Sequence, residues 1–179
     1  MDLIELYRYF AKFVPVKVLK ENYVRSGSTS DAESIQAEVL ADESDHRIDT
    51  IGDFLFLGDA DFMLQRLRNS NKQILMVDSD REDYRPNADD GSKATIGLTI
   101  AEHYNRSNTD VVSELALQNK CLQTLKSILD HISTDMDGGC EKWWIDGDSY
   151  EIRFFDAKAL NGLIGYTAFF TITSPSYGK

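Results

Sequence analysis

The chain has 179 residues, with 30 acidic against 19 basic side chains and a formal net charge of −11. A field of that sign repels nucleic-acid phosphates, which argues against a conventional DNA- or RNA-binding surface. The length suits one domain, residues 1–179, whose core needs no staples. Cys121 and Cys140 are too few for a disulfide framework and read as free thiols of a reducing compartment.

The acidity is concentrated. Residues 26–61 hold ten acids against Arg47 alone, and residues 78–90 hold six against two arginines. No run of about 18 apolar residues exists to span a membrane. The first residues lack a basic n-region and a small-residue cleavage site, so a soluble chain without a signal peptide is expected.

In chain order, residues 2–14 read as a helix, with Leu3, Leu6, Tyr7, Phe10 and either Phe13 or Val14 on one apolar face and Pro15 as its stop. Residues 16–24 alternate Val16, Val18 and Tyr23 with lysines, the period of a strand. Residues 26–53 form an acidic excursion whose few apolar positions, Ile35, Val39, Leu40, Ile48 and Ile51, leave a projecting hairpin, a short helix and a loop that orders on a partner all open. A short apolar run at 54–57 precedes a helix at 60–69 that buries Phe62, Met63 and Leu67. Residues 73–77 are apolar on both faces, which marks a central strand.

Residues 78–92 read as an acidic loop, joining that strand to one at 94–104 as a long-looped hairpin. Thr109 or Asn108 caps the strongest helix, in which Val111, Val112, Leu115, Leu122, Leu125, Leu129 and Ile132 make one stripe roughly 34 Å long. Gly138 and Gly139 break it, and Trp143 and Trp144 are read as an aromatic plug over its end. The chain closes on a strand at 150–155 and a longer one at 165–175, with Tyr166, Ala168, Phe170 and Ile172 on one face and Thr167, Phe169, Thr171 and Thr173 on the other. The fold class expected is α+β: a mainly antiparallel sheet with helices on one face, plus the acidic inserted arm.

No catalytic motif is strong, and neither an enzyme nor a cofactor is expected. A strand ending in Asp78 and Asp80 has the pattern of a magnesium site, with Asp90 as a third oxygen donor; this is the weaker, metal-dependent phosphohydrolase alternative. As a calcium loop the stretch fails, because its sixth position is Asp83 and not glycine. His46, His103 and His131 have no ligand spacing, and Ser113 and Ser127 lack a nucleophile-elbow context. The residues expected to meet partners are the acidic ones: Asp31, Glu33, Glu38, Asp42, Glu43 and Asp45 in the excursion, and Asp78, Asp80, Glu82, Asp83, Asp89 and Asp90 in the loop.

The order of elements over residues 74–175, together with Gly165, Tyr166 and the alternating strand that ends at Ser174 and Pro175, resembles the tail-terminator (tail-completion) proteins of long-tailed bacteriophages. The resemblance implies a structural virion protein forming a homo-oligomeric, hexameric ring at the head–tail junction. It would be made in the host cytoplasm, and its partners would be its own copies and the neck and tail-tube proteins. DNA would pass through without specific binding, which acidic loops facing a lumen favour. An acidic immunity-type module that binds a basic protein is the other alternative.

Overall fold

Asp2 accepts the backbone N–H of Ile4 at 2.9 Å and so caps the first helix, α1 (Leu3–Ala11). This is seen in a computed structural model that describes residues 2–23, 30–42, 46–56, 72–83, 92–104, 110–137, 143–145, 150–157 and 162–174. Leu6, Tyr9 and Phe10 of α1 are buried, and both Phe13 and Val14 follow them into the core. The next segment is a helix and not the strand its alternation suggested: α2 (Val16–Tyr23). Pro15 does not only stop α1; its carbonyl accepts from Leu19 and opens α2, a position where the missing proline N–H costs nothing. Val18 and Leu19 are both buried while Lys17 and Lys20 are exposed, a grouping that a strand cannot produce.

Of the alternatives left open for the acidic excursion, the structure has a helix, α3 (Ser30–Ala41), with Val39 as its buried residue. Arg47 donates to the carbonyls of Val14 and Asp42, both at 2.6 Å, tying the ends of the first and third helices together. The expected helix at 60–69 lies outside the described residues.

Among the described residues six strands form one sheet: β1 (Ile51–Phe56), β2 (Gln73–Asp83), β3 (Ser92–His103), β4 (Trp144–Ile145), β5 (Glu151–Ala157) and β6 (Leu163–Ser174). Their order is β1-β2-β3-β6-β4, with β5 also on β6. The short β4 meets Thr173 and Ile172, and β5 meets Phe169 through Leu163, so the two together make one interrupted edge along β6. Every pairing is antiparallel except β1 with β2, which is parallel and was not foreseen. The first six residues of the expected acidic loop, 78–83, are strand. The β2 strand runs on to Asp83 through a register shift between Ser79 and Arg81, paired with β3 as far as Lys93.

The alternation expected in β6 is present. Ala168, Phe170 and Ile172 join Leu75, Val77, Ile96, Leu98 and Ile100 in a core that also takes residues of every described helix. On the other face Leu55, Ile74, Met76, Ala101 and Leu163 form a smaller buried cluster made of strand residues only. The long helix, α4 (Val111–Asp137), packs on β3 and β6. Its stripe is shorter than the sequence pattern. Burial begins at Cys121, where Lys120 bonds Glu102 at 2.7 Å and the thiol lies against the carbonyl of Ile164. Those contacts are at the end of β3 and the start of β6, so the nine residues before Lys120 overhang the sheet by roughly 14 Å. Val111, Val112 and Leu115 are therefore 72%, 75% and 57% exposed. The cap is also one residue later than expected: Asp110 accepts the N–H groups of Val112 and Ser113 at 2.8 and 2.9 Å.

Gly165 sits where β6 passes closest to β3. A Cβ there would stand 2.0 Å from the carbonyl oxygen of Ile100 and 2.7 Å from Cα of Ala101, backbone atoms that cannot move without opening the ladder. At Gly97 an added Cβ would meet the Phe169 ring at 3.5 Å and the Thr167 methyl at 3.8 Å, ordinary contacts. Gly165→Ala should therefore cost about 1–3 kcal/mol or more, while Gly97→Ala should stay within about 1 kcal/mol of the parent. Urea-unfolding midpoints of the two variants provide the comparison.

Candidate interaction surface

Asp31 and Glu33 lie on the exposed flank of α3, where the side-chain hydroxyl of Ser30 approaches Asp31 at 3.4 Å. Glu38, further along the same helix, is held in an ion pair with Arg8 of α1. Its carboxylate therefore fastens α3 to the body. Asp42 ends the helix, and its carbonyl is engaged by Arg47. Glu43 and Asp45 lie outside the described residues, as do Asp89 and Asp90.

In the second acidic group, residues 78–83 belong to a strand and not to a loop. Asp78 is exposed opposite Gly97, and its carboxylate accepts the N–H of Ser79 at 2.8 Å. Asp80 is the residue skipped at the register shift, Glu82 stands opposite Ala94, and Asp83 stands opposite Lys93. The metal alternative depended on a strand that ends beyond Asp78 and aims two carboxylates the same way. The strand continues instead, and the shift at Asp80 breaks its alternation. Among the described residues no group of three or more His, Cys, Asp or Glu side chains is arranged to hold a metal ion. No described helix is long and apolar enough to cross a membrane.

Contacts that sequence reasoning missed lie between elements far apart in the chain. The rings of His46 and His131 stand 4.5 Å apart, each about 6 Å from the Phe13 ring. Scattered positions in sequence thus become one aromatic cluster joining α1, α4 and the segment before β1. Gln73, fully buried, accepts from the hydroxyls of Thr50 at 2.7 Å and Thr124 at 2.9 Å, and its amide points at the Cys121 sulfur. Burial and the nearby Glu102 carboxylate push the Cys121 thiol up to about 11, which keeps it neutral and poorly nucleophilic. Of the expected aromatic plug, Trp143 is buried edge-on to Tyr9 at 4.9 Å, and the Tyr9 hydroxyl donates to Asp135 near the end of α4 at 2.9 Å.

Among the described residues, two groups of large apolar side chains are exposed on these surfaces. One is the overhanging start of α4. The other is β5, where Ile152 and Phe154 are 37% and 48% exposed on the helix-bearing face of the sheet. On the opposite face Arg153 bonds Glu151 at 2.7 Å and covers the Phe169 ring. These surfaces, together with the acidic flank of α3, are what the described residues offer to another molecule.

Gln73→Ala should destabilise the fold by roughly 1–3 kcal/mol, because a buried acceptor shared by two hydroxyls is lost; chemical denaturation measures it. Iodoacetamide at pH 8 should leave Cys121 unlabelled in the native protein and label it fully in denaturant, as read by peptide mass spectrometry. Comparisons of the chain with protein-family models, with characterised proteins and with solved structures find no match.

Proposed function

We propose that the chain is a structural virion subunit resembling the tail terminators of long-tailed phages, assembling into a ring at the head–tail junction through which DNA passes. The observation that carries this reading is the arrangement of residues 73–174. A strand pair, a long helix laid on one face of the sheet, and a final strand inserted between β3 and the β4/β5 edge follow the element order on which the resemblance rests. Exposed apolar residues on an edge strand and on an overhanging helix suit a protein that completes its surface by assembly. The acidic flank of α3 suits a surface past which DNA slides without being held. Its partners would be further copies of the chain and the neck and tail-tube proteins.

A second reading is favoured by α3 itself. A helix with one buried residue and an exposed acidic start is what an immunity-type module would offer to a basic protein. The two readings separate in solution. Under the ring reading, native mass spectrometry and negative-stain imaging at high protein concentration should show closed rings. A chain that forms no ring, and instead captures basic proteins with affinity falling steeply with salt, would support the second reading.

A further inference from the structure

The fold brings two imidazoles together that the sequence keeps far apart. His46 comes from the segment before β1 and His131 from the last third of α4, and their ring centroids stand 4.5 Å apart. Both side chains are half-buried, so the pair is open to water and small ions. Their supports are firm. Beside His46, Arg47 bonds the carbonyls of Val14 and Asp42, and the Ile48 N–H donates to the Phe13 carbonyl at 2.9 Å. Around His131, Ile128, Leu129 and Ile132 are buried in the core. The fully buried Phe13 ring stands about 6 Å from each imidazole and backs the pair.

Aromatic rings in simple contact settle into offset stacks or edge-on pairs, whereas these two planes are tilted by 48°. The spacing matches two imidazoles on one ion. A ring bound through nitrogen at about 2.0–2.1 Å puts its centroid about 3.2 Å from the metal. Two such rings at a right angle have centroids about 4.5 Å apart, against about 5.2 Å at the tetrahedral angle. The tilt is no obstacle, because each ring can turn about its bond to the ion.

We propose that His46 and His131 form a two-histidine site for a divalent transition ion of square or octahedral preference, nickel(II) or copper(II), with water in its other positions. Imidazole suits both ions. Each histidine gives one ring nitrogen to the metal in exchange for that nitrogen's present contact. Asp135, one turn further along α4, has its carboxylate committed to the Tyr9 hydroxyl at 2.9 Å and is not counted as a ligand. The net charge of −11 favours cations near the surface. A bound ion would fasten the lead-in to β1 onto α4 from outside the core. The site stands apart from the ring reading and does not depend on it.

The test uses the untagged full chain. Isothermal titration with nickel chloride at pH 8 should show one saturable site. His46→Gln and His131→Gln should each weaken it by about tenfold or more, and His103→Gln, at the end of β3, should leave it unchanged. Saturating nickel should raise the thermal midpoint of the parent and of His103→Gln, but not of the other two variants. The parent alone supplies a readout that does not depend on how the variants fold. With nickel bound, diethyl pyrocarbonate should modify His46 and His131 less and His103 to the same extent as without it, as read by peptide mass spectrometry. The absence of saturable binding, binding that survives both substitutions, or protection spread equally over all three histidines would overturn the site.

Discussion

The ladder between β3 and β6 is the constraint on which the rest of the structure depends. It runs without a register shift from Ser92 against Ser174 to His103 against Leu163. It closes across almost seventy residues of chain, and at its middle the hydroxyls of Thr99 and Thr167 meet at 2.7 Å in a buried position. Both flanks of the sheet are hung on it, β2 and β1 from β3, and β5 and β4 from β6. A pairing of such sequence separation is slow to form and must be specific once formed. The close approach at Gly165 supplies part of that specificity, because a slipped register would bring a side chain to the point where only a glycine fits.

The two faces of this ladder do different work. On one, a continuous apolar layer receives α1, α2, α3 and α4, and burial of side chains such as Phe10, Leu98 and Leu125 gives about 1.5–3 kcal/mol each. On the other, small and hydroxyl residues (Gly97, Thr99, Gly165, Thr167) lie between buried strand residues at one end and the Phe169 and Arg153 pair at the other. Gln73 connects the layers, being a strand residue whose amide is satisfied by Thr50 before β1 and by Thr124 on α4. The helix layer is thus registered on the sheet by one polar hub as well as by apolar contact.

Much of this was legible in the sequence because it is written in period. The two-faced alternation of β6, the doubly apolar 73–77 run, the pairing of β2 with β3 and the core-facing part of α4 all follow from spacing alone. What failed had competing physics. In α2 the valine–lysine alternation mimics a strand, and only the burial of Leu19 beside Val18 distinguishes a helix. Polar composition hid the continuation of β2 to Asp83, which cross-strand pairing supports where hydrophobicity does not. The stripe of α4 is apolar from Val111 onward, but periodicity reports which face of a helix is apolar and not where the sheet beneath it ends. The meeting of His46 with His131 had no local signal at all, since it is made by tertiary packing around Phe13.

The edges of the sheet show where this design stops being self-sufficient. The β1 edge carries devices that blunt pairing: it is six residues long, it has a bulge at Gly52, and the Asp53 carboxylate takes the N–H of Phe54 at 2.8 Å. The opposite edge is interrupted between β4 and β5. It has no proline or lysine, its three charges are Glu151, Arg153 and Asp156, and two large apolar side chains are exposed between them. Charge on an edge usually discourages pairing with another strand, and here Glu151 and Arg153 bond to each other at 2.7 Å on the face away from the helices.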